Sequence, residues 1–358
     1  MNILSLFDGI SCGRLSFDRA GIKYEKYYAS EIDRYALAVA KYNYPDTIFV
    51  GDIRYLKGKD FKDVDLIMGG SPCQNFSFSG KRQGMVTKEK IEVTTLEQYL
   101  ELKYQGFEFE GQSYLFWEFV RLLREIKPRW FLLENVRMAK KWRDVITNAL
   151  GVEPIEINSA LVSAQNRRRL YWTNIPVEGL PEDKGLLLKS ILEDEVDEKY
   201  FLNKKIKILN KERSNLCIQI AELDIKGQDN VKRVYSMEGK SPTLTTMQGG
   251  YRQPKILVDR DKSYCIDANY YRGGNLKQYL EKKRRQLVFE LTGNEKVKVR
   301  KLTPLECERL QTLPDNYTKY GLFENGEIKQ ISDTQRYKMI GNAWTVDVIS
   351  WILSFLNL

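Results

Sequence analysis

The sequence predicts an α/β protein with a doubly wound, largely parallel sheet and a second, smaller domain. Three observations carry that expectation. Short apolar runs alternate with helix-period stretches over residues 2–135, the mark of strand–helix–strand units. Asp8, Glu31, Asp52, Cys73 and Glu134 stand at or just past the ends of those runs, where ligands of such sheets bind. From about residue 177 the periodicity weakens and basic segments take over, as in NKKIKILNKER at 203–213, EKKRR at 281–285 and KVKVRK at 296–301.

The elements follow in order. NILSLF (2–7) is a short buried strand, and a glycine-containing turn from Asp8 to Gly13 leads into a helix ending near Ala20. YEKYYASEI (24–32) is a second strand candidate. Residues 33–43 are helical, because Tyr35, Ala38, Val39 and Tyr42 recur at three- and four-residue spacing. TIFVGDI (47–53) and DLIMGGSP (65–72) are two further strand-to-loop signals. Residues 80–112 are expected to be a mobile catalytic-loop insertion, with Gly84, Gly106 and Gly111 as flexible points; such a loop beside a nucleophile acts as a lid. Helix 113–127 lines up Leu115, Phe119, Leu122, Leu123 and Ile126 on one face, and RWFLLEN (129–135) is a strand. A last helix over roughly 333–356, apolar at Ile340, Val346, Val348, Ile349, Ile352 and Leu353, returns to cover the first sheet. The expected division is 1–176 plus 330–358 for the first domain and 177–329 for the second.

Composition narrows the function. The chain has 358 residues, of which 42% are hydrophobic, ample for a core and against disorder. Lys and Arg number 57 against 48 Asp and Glu, a net charge of +9 that makes a polyanion, nucleic acid first, the expected partner. There is no histidine. That excludes a Ser-His-Asp triad, a Cys-His pair and an HExxH zinc site, and leaves acid–base chemistry to carboxylates, Lys, Tyr, Cys or water. The five cysteines, at 12, 73, 217, 265 and 307, are widely spaced without a CxxC. This pattern argues against a disulfide framework or a metal site and fits a reducing compartment. No signal peptide and no apolar run of about 18 residues is present, so a cytoplasmic protein without a membrane partner is expected.

Four motifs carry chemistry. The turn Phe7-Asp8-Gly9-Ile10-Ser11-Cys12-Gly13 precedes a helix, and Glu31 lies 22 residues after Gly9, a spacing at which a carboxylate binds ribose hydroxyls. The glycine pattern is not GxGxxG, so it suits an adenosine cofactor without a pyrophosphate. In Gly69-Gly70-Ser71-Pro72-Cys73-Gln74, a cysteine held by a rigid proline at the mouth of a sheet is a candidate nucleophile, although most free cysteines only fill space. In Leu132-Leu133-Glu134-Asn135-Val136, a carboxylate closing an apolar strand loses hydration, which suits an acid or hydrogen-bond partner. In Gln165-Asn166-Arg167-Arg168-Arg169-Leu170-Tyr171, Arg167 and Arg169 share a strand face and aim two guanidiniums into one cleft.

Taken in order, and joined by Arg300-Lys301-Leu302-Thr303-Pro304, Glu308-Arg309-Leu310-Gln311 and Gly341-Asn342-Ala343-Trp344, these blocks resemble the cytosine-5 DNA methyltransferases of bacterial and phage modification type. The resemblance spans residues 3–350 and is weak only in 80–112 and about 177–295. It implies a Rossmann-like S-adenosylmethionine-dependent methyltransferase fold with a doubly wound mixed sheet and a target-recognition domain. It further implies methyl transfer from S-adenosylmethionine to carbon 5 of a flipped cytosine in double-stranded DNA. By resemblance, Cys73 is the nucleophile, Glu134 protonates the ring, and Arg169 binds its O2 with support from Arg167 and Asn135. The cofactor set is Phe7, Gly9, Ile10, Glu31, Ile32, Asp52, Ile53, Leu115, Asn342, Ala343 and Trp344, and no metal is implied. Asp8 stands where many bacterial members carry Ser, and Trp344 where Val is more usual. Ser241-Pro242-Thr243-Leu244-Thr245 resembles the segment that buttresses the recognition domain. A monomer is expected, with a cognate restriction endonuclease as companion in a restriction–modification system; phage self-protection or an orphan role are the other settings. Two alternatives stand beside this reading: a tRNA cytosine-5 methyltransferase, whose Cys-Phe-Thr signature is absent, and a catalytically inactive DNA-binding regulatory module.

Overall fold

The computed structural model describes residues 1–72, 84–202, 204, 206–213, 216–247, 250–258 and 298–356. Cys73, Cys265 and the basic run at 281–285 therefore lie outside the described residues.

The apolar runs become β1 (Asn2–Leu6), β2 (Lys26–Ser30), β3 (Ile48–Phe49), β4 (Leu66–Gly70), β5 (Trp130–Val136), β6 (Ile155–Asn158) and β7 (Arg168–Thr173). They form a seven-stranded sheet in the order β3-β2-β1-β4-β5-β7-β6. β1 to β5 pair in parallel, whereas β7 runs antiparallel to both β5 and β6. Helices α1 (Cys12–Ala20), α2 (Arg34–Asn43), α3 (Leu96–Tyr104), α4 (Phe116–Ile126) and α5 (Lys140–Leu150) connect them.

Alternate side chains of each strand enter different cores, as the two-residue strand period requires. Leu4, Leu6, Ile67 and Leu133 pack with Phe116, Trp117, Phe119 and Val120 of α4 and with Trp142 and Ile146 of α5. Ile3, Leu66, Met68 and Leu132 pack on the other face with Phe17 of α1 and with Val348, Ile349 and Ile352. Each such side chain contributes about 1.5–3 kcal/mol by leaving water. α2 starts at Asp33, whose carboxylate accepts from the amides of Tyr35 and Ala36 at 2.9 and 3.1 Å. α4 stops where Lys127 turns left-handed at φ 53° ahead of Pro128.

In the second half, β8 (Phe201–Leu202), β9 (Ile206–Arg213), β10 (Gln219–Leu223), β11 (Arg233–Tyr235), β12 (Lys255–Val258) and β13 (Lys298–Lys301) form a sheet in the order β8-β13-β12-β11-β10-β9. The short α6 (Asp229–Lys232) precedes β11. Residues 304–353 then add α7 (Pro304–Leu310), the hairpin β14 (Tyr320–Leu322) and β15 (Ile328–Gln330), α8 (Asp333–Asn342) and α9 (Val346–Leu353).

Several expectations need correction. The single helix expected over 333–356 is broken into α8 and α9, because Ala343 is extended (φ −66°, ψ 158°) and Val346 N donates to Gln311 O. The strand expected over 47–53 shrinks to Ile48–Phe49. The described part of the 80–112 insertion is not a bare loop. It carries α3, and Met85, Val93, Leu96, Tyr99 and Leu102 are buried in the α4-side core. Gly84, Gly106 and Gly111 serve left-handed turns there, at φ 68°, 82° and 69°. The stretch after β13 also packs toward the first sheet. The Tyr317 hydroxyl donates to Ile10 O at 2.8 Å, and Leu313, Tyr317 and Ile331 share a core with Ala36 and Val39 of α2.

Candidate active site

Strand order and register assemble the site. The order reverses between β1 and β4, the switch point at which such sheets bind ligands. Leu6 lies opposite Ser30 and Gly69, Gly70 opposite Glu134, and Val136 opposite Arg169. The turns after β1, β2 and β4 and the last residues of β5 therefore open onto one cavity of about 630 Å³. Its walls include Phe7, Asp8, Gly9, Ile10, Glu31, Ile32, Asp52, Ile53, Leu115, Glu134, Arg169 and Asn342 to Trp344. Every sequence-expected site residue except Cys73 is thus brought to one chamber. Cys73 lies outside the described residues, but its neighbour Pro72 lines the same cavity.

At one end, the β1 turn is wound tightly, with positive φ at Phe7 (57°), Gly9 (60°) and Ser11 (61°). A Cβ at Gly9 would meet nothing within 4 Å, so glycine is needed for the backbone conformation and not for space. Gly9 N donates to Glu31 Oε2 at 2.8 Å, while Glu31 Oε1 accepts from Ile32 N at 2.7 Å and Asp33 N at 2.8 Å. A carboxylate has about four lone-pair sites, so three amides leave room for a ligand hydroxyl. Burial pushes the Glu31 carboxyl above its ordinary value, against the lowering by those amides. Asp8 is buried beneath the turn, accepting from the hydroxyls of Ser11 at 2.5 Å and Tyr27 at 2.8 Å. Burial again outweighs the hydrogen bonds and raises its pKa. Ile32 is 60% exposed although apolar, an open shelf for a flat ring. The Arg54 guanidinium pairs with Asp52 and holds its carboxyl below the ordinary carboxylate range.

At the other end, Arg169 Nε donates to Glu134 Oε1 at 2.9 Å, with both side chains nearly buried. Glu134 sits inside β5, two residues short of its end, and not at its last position as the sequence suggested. Asn135 Nδ2 donates to Ser71 Oγ at 3.0 Å, which tethers the segment running into Cys73. Arg167 and Arg169 both line this cavity, but their guanidiniums are held differently. β7 begins at Arg168, and the Arg167 guanidinium is engaged by the carbonyls of Leu244 at 3.2 Å, Gly341 at 3.4 Å and Ala343 at 3.0 Å. It ties the wall together. Trp344 stands between the two ends: a Cβ on Gly70 would lie 2.8 Å from its indole nitrogen and 3.1 Å from Glu134 Oε2. Only glycine fits at position 70.

The cavity also uses residues the motifs did not reveal, among them Arg54, Tyr114 and Lys338. Cys12 of the first motif lines the cavity too and is buried, and burial pushes its thiol up to about 12. Among the described residues no cluster of Cys, Asp and Glu could hold a metal, and no helix is long and apolar enough to cross a membrane. The donor set fits an adenosine cofactor: an amide-lined carboxylate, an exposed apolar shelf and a cavity within the usual 300–1,000 Å³ range of ligand sites.

Comparison with known proteins agrees. The family model of C-5 cytosine-specific DNA methylase matches residues 1–356. The chain is 30% identical to the orphan methyltransferase M.SPBetaI of Bacillus phage SPbeta, covering 99% of this chain and 97% of that one. It is 24% identical to the type II methyltransferase M.HhaI of Haemophilus parahaemolyticus, over 98% and 93% of the two chains. Among solved structures, S. pombe Dnmt2 methyltransferase superposes with a TM-score of 0.61 at 15% identity, covering 99% and 97% of the chains, which speaks for the fold. The chain therefore belongs to the C-5 cytosine-specific DNA methylase family, whose members are DNA cytosine-5 methyltransferases.

Proposed function

We propose that the protein methylates carbon 5 of a flipped-out cytosine at a specific sequence in duplex DNA, using S-adenosylmethionine and a transient covalent bond to Cys73. One observation carries the reading. A single chamber has an adenosine-type end (Phe7 to Ile10, Glu31, Asp52) and a base-type end (Glu134 with Arg169), and Pro72, next to Cys73, lines it. Bound at the first end, S-adenosylmethionine supplies an electrophilic methyl on a sulfonium. Glu31 would hold the ribose, Ile32 and the Asp52–Ile53 pair the adenine, and Asn342 to Trp344 with Leu115 the methionine end.

At the second end, the Cys73 thiolate gives its electron pair to ring carbon 6, and the double bond between carbons 5 and 6 opens toward N3. Glu134 gives a proton to N3 and Arg169 holds O2, which stabilises the adduct. Carbon 5, now enamine-like, would take the methyl as the methyl–sulfur bond breaks and its electron pair stays on the sulfur. Loss of its proton to water re-forms the double bond, the thiolate leaves, and the N3 proton returns to Glu134. No histidine is needed. The base must leave the helix first, at a cost of roughly a few kcal/mol, which phosphate contacts by the basic second half offset. The contacts of residues 304–331 with α2 and Ile10 move the proposed end of the recognition domain from 329 to about 301. The protein acts as a monomer, in the bacterial or infected-cell cytoplasm, with a restriction endonuclease as companion where the system includes one.

The test is transfer of labelled methyl from S-adenosylmethionine to mixed-sequence duplex DNA, with bisulfite sequencing to read the target. No incorporation into any DNA would overturn the proposal. DNA containing 5-fluorocytosine should trap the wild type covalently, and Cys73→Ala should neither turn over nor trap; normal turnover by that variant rejects the nucleophile.

A further inference from the structure

A buried carboxylate that this mechanism does not use lies in α4. Glu118 is fully buried, on a helix whose neighbouring residues are Phe116, Trp117, Phe119 and Val120. Its cost of burial is offset only because its oxygens are surrounded by donors. Oε1 accepts from the Tyr99 hydroxyl and from Lys103 Nζ at 2.6 Å, and Oε2 accepts from Arg121 Nε at 2.7 Å. Tyr99 and Lys103 belong to α3, within the 80–112 insertion. Arg121 reaches the other way: its Nη2 donates to Ile53 O at 3.3 Å, and its Nη1 pairs with Glu125, which accepts from Gly58 N.

The same segments meet a second time through aromatic rings. Tyr114, which lines the cavity, stacks on Phe109 at 4.7 Å and on Tyr99 at 6.1 Å. Lys103 also acts electrostatically on Asp52. One carboxylate thus holds the inserted α3 on one side and the Ile53 wall on the other. Loss of its charge would leave Lys103 and Arg121 facing each other with their common counter-ion gone.

We propose that Glu118 is a positioning residue through which docking of residues 84–112 and cofactor binding are energetically coupled. The coupling rests on the reading of the chamber as an S-adenosylmethionine site. By linkage it is reciprocal: whatever docking does for the cofactor, the cofactor does for docking. Filling the wall beside Ile53 should therefore stiffen α3.

The experiment uses the full chain and S-adenosylhomocysteine as probe. Its Kd is measured by calorimetry, and hydrogen exchange of residues 96–104 is followed with and without it. In the wild type the probe should slow exchange in α3. In Glu118→Gln, a near-isostere without the charge, the Kd should rise about fivefold to tenfold and the probe-induced protection of α3 should vanish. A variant that melts earlier but keeps both the Kd and the protection would show a purely structural role and overturn the coupling. If Glu118→Gln does not fold, Lys103→Met removes only the donor on α3; it should shift both readouts the same way by less, and unchanged readouts overturn the coupling. A wild type that does not bind S-adenosylhomocysteine overturns the cofactor reading, and the coupling with it. A bound probe without a Glu118 effect overturns the coupling alone.

Discussion

β1, β4 and β5 are sandwiched between helices on both faces, and among their residues only Glu134 is charged; β10 and β13 carry Gln219, Glu222, Lys298 and Arg300 within the strand itself. The first sheet is ordered by what it hides from water. The second depends more on matched polar groups. Arg300 is buried and grips Glu306 through two bonds of 2.7 Å. Lys255 is 2% exposed and donates to Tyr251 O at 2.7 Å and Gln253 O at 2.9 Å. Burial pushes its ammonium down to about 8. The difference teaches where each job belongs. A reaction needs groups fixed at strand ends by a dense core, whereas the second sheet can vary provided its buried charges keep their partners.

The contrast can be broken, starting with the largest effect. Glu134→Gln should lower turnover by about 10²–10⁴, the usual share of a proton-transferring group, while S-adenosylhomocysteine affinity stays within twofold. Single-turnover kinetics beside calorimetry checks this, and a rate close to wild type would dismiss Glu134 as the proton donor. Phe119→Ala, deep in the α4-side core, should cost about 3–5 kcal/mol in urea unfolding and weaken the cofactor site with it. The two regions should also answer pH in opposite directions. Asp8 is raised, so the fold favours its neutral form and loses that stability as pH rises above 3.8. Lys255 is lowered, so between about 8 and 10.5 the unfolded chain binds more protons and stability rises with pH. Subtracting the melting curves of Asp8→Asn and Lys255→Met isolates the two slopes, and slopes of equal sign would refute the distinction. The mildest change, Ile220→Val in the second sheet, should cost about 0.5–1.5 kcal/mol and leave the S-adenosylhomocysteine Kd untouched.

The first sheet was largely legible because parallel strands buried on both faces announce themselves as continuous apolar runs. Its site was legible because Glu31, Asp52 and Glu134 interrupt those runs where the strands give out. The break between α8 and α9 was not, since Asn342-Ala343-Trp344-Thr345 contains no proline and no strong helix stop; tertiary bonds from Thr345 and Val346 to Gln311 impose it. The carbonyl grip of Arg167 was hidden for a related reason. Its three carbonyl partners come from distant segments, which no local spacing encodes. Glu118 was overlooked, though one signal was available: of the two carboxylates in FWEFVRLLREI, it is the one that falls three residues after Leu115 and four before Leu122, on the greasy side of the helix.

The clasp made by Arg167 has a consequence for synthesis in the cell. Gly9 and Asn342 are walls of one chamber, so a ribosome must deliver more than 330 residues after the first wall before the last one exists. A translation product broken off anywhere before Gly341 lacks two of the carbonyls that Arg167 grips, those of Gly341 and Ala343. The chamber wall therefore stays open until synthesis is nearly complete, so such copies should not hold the cofactor proposed for it.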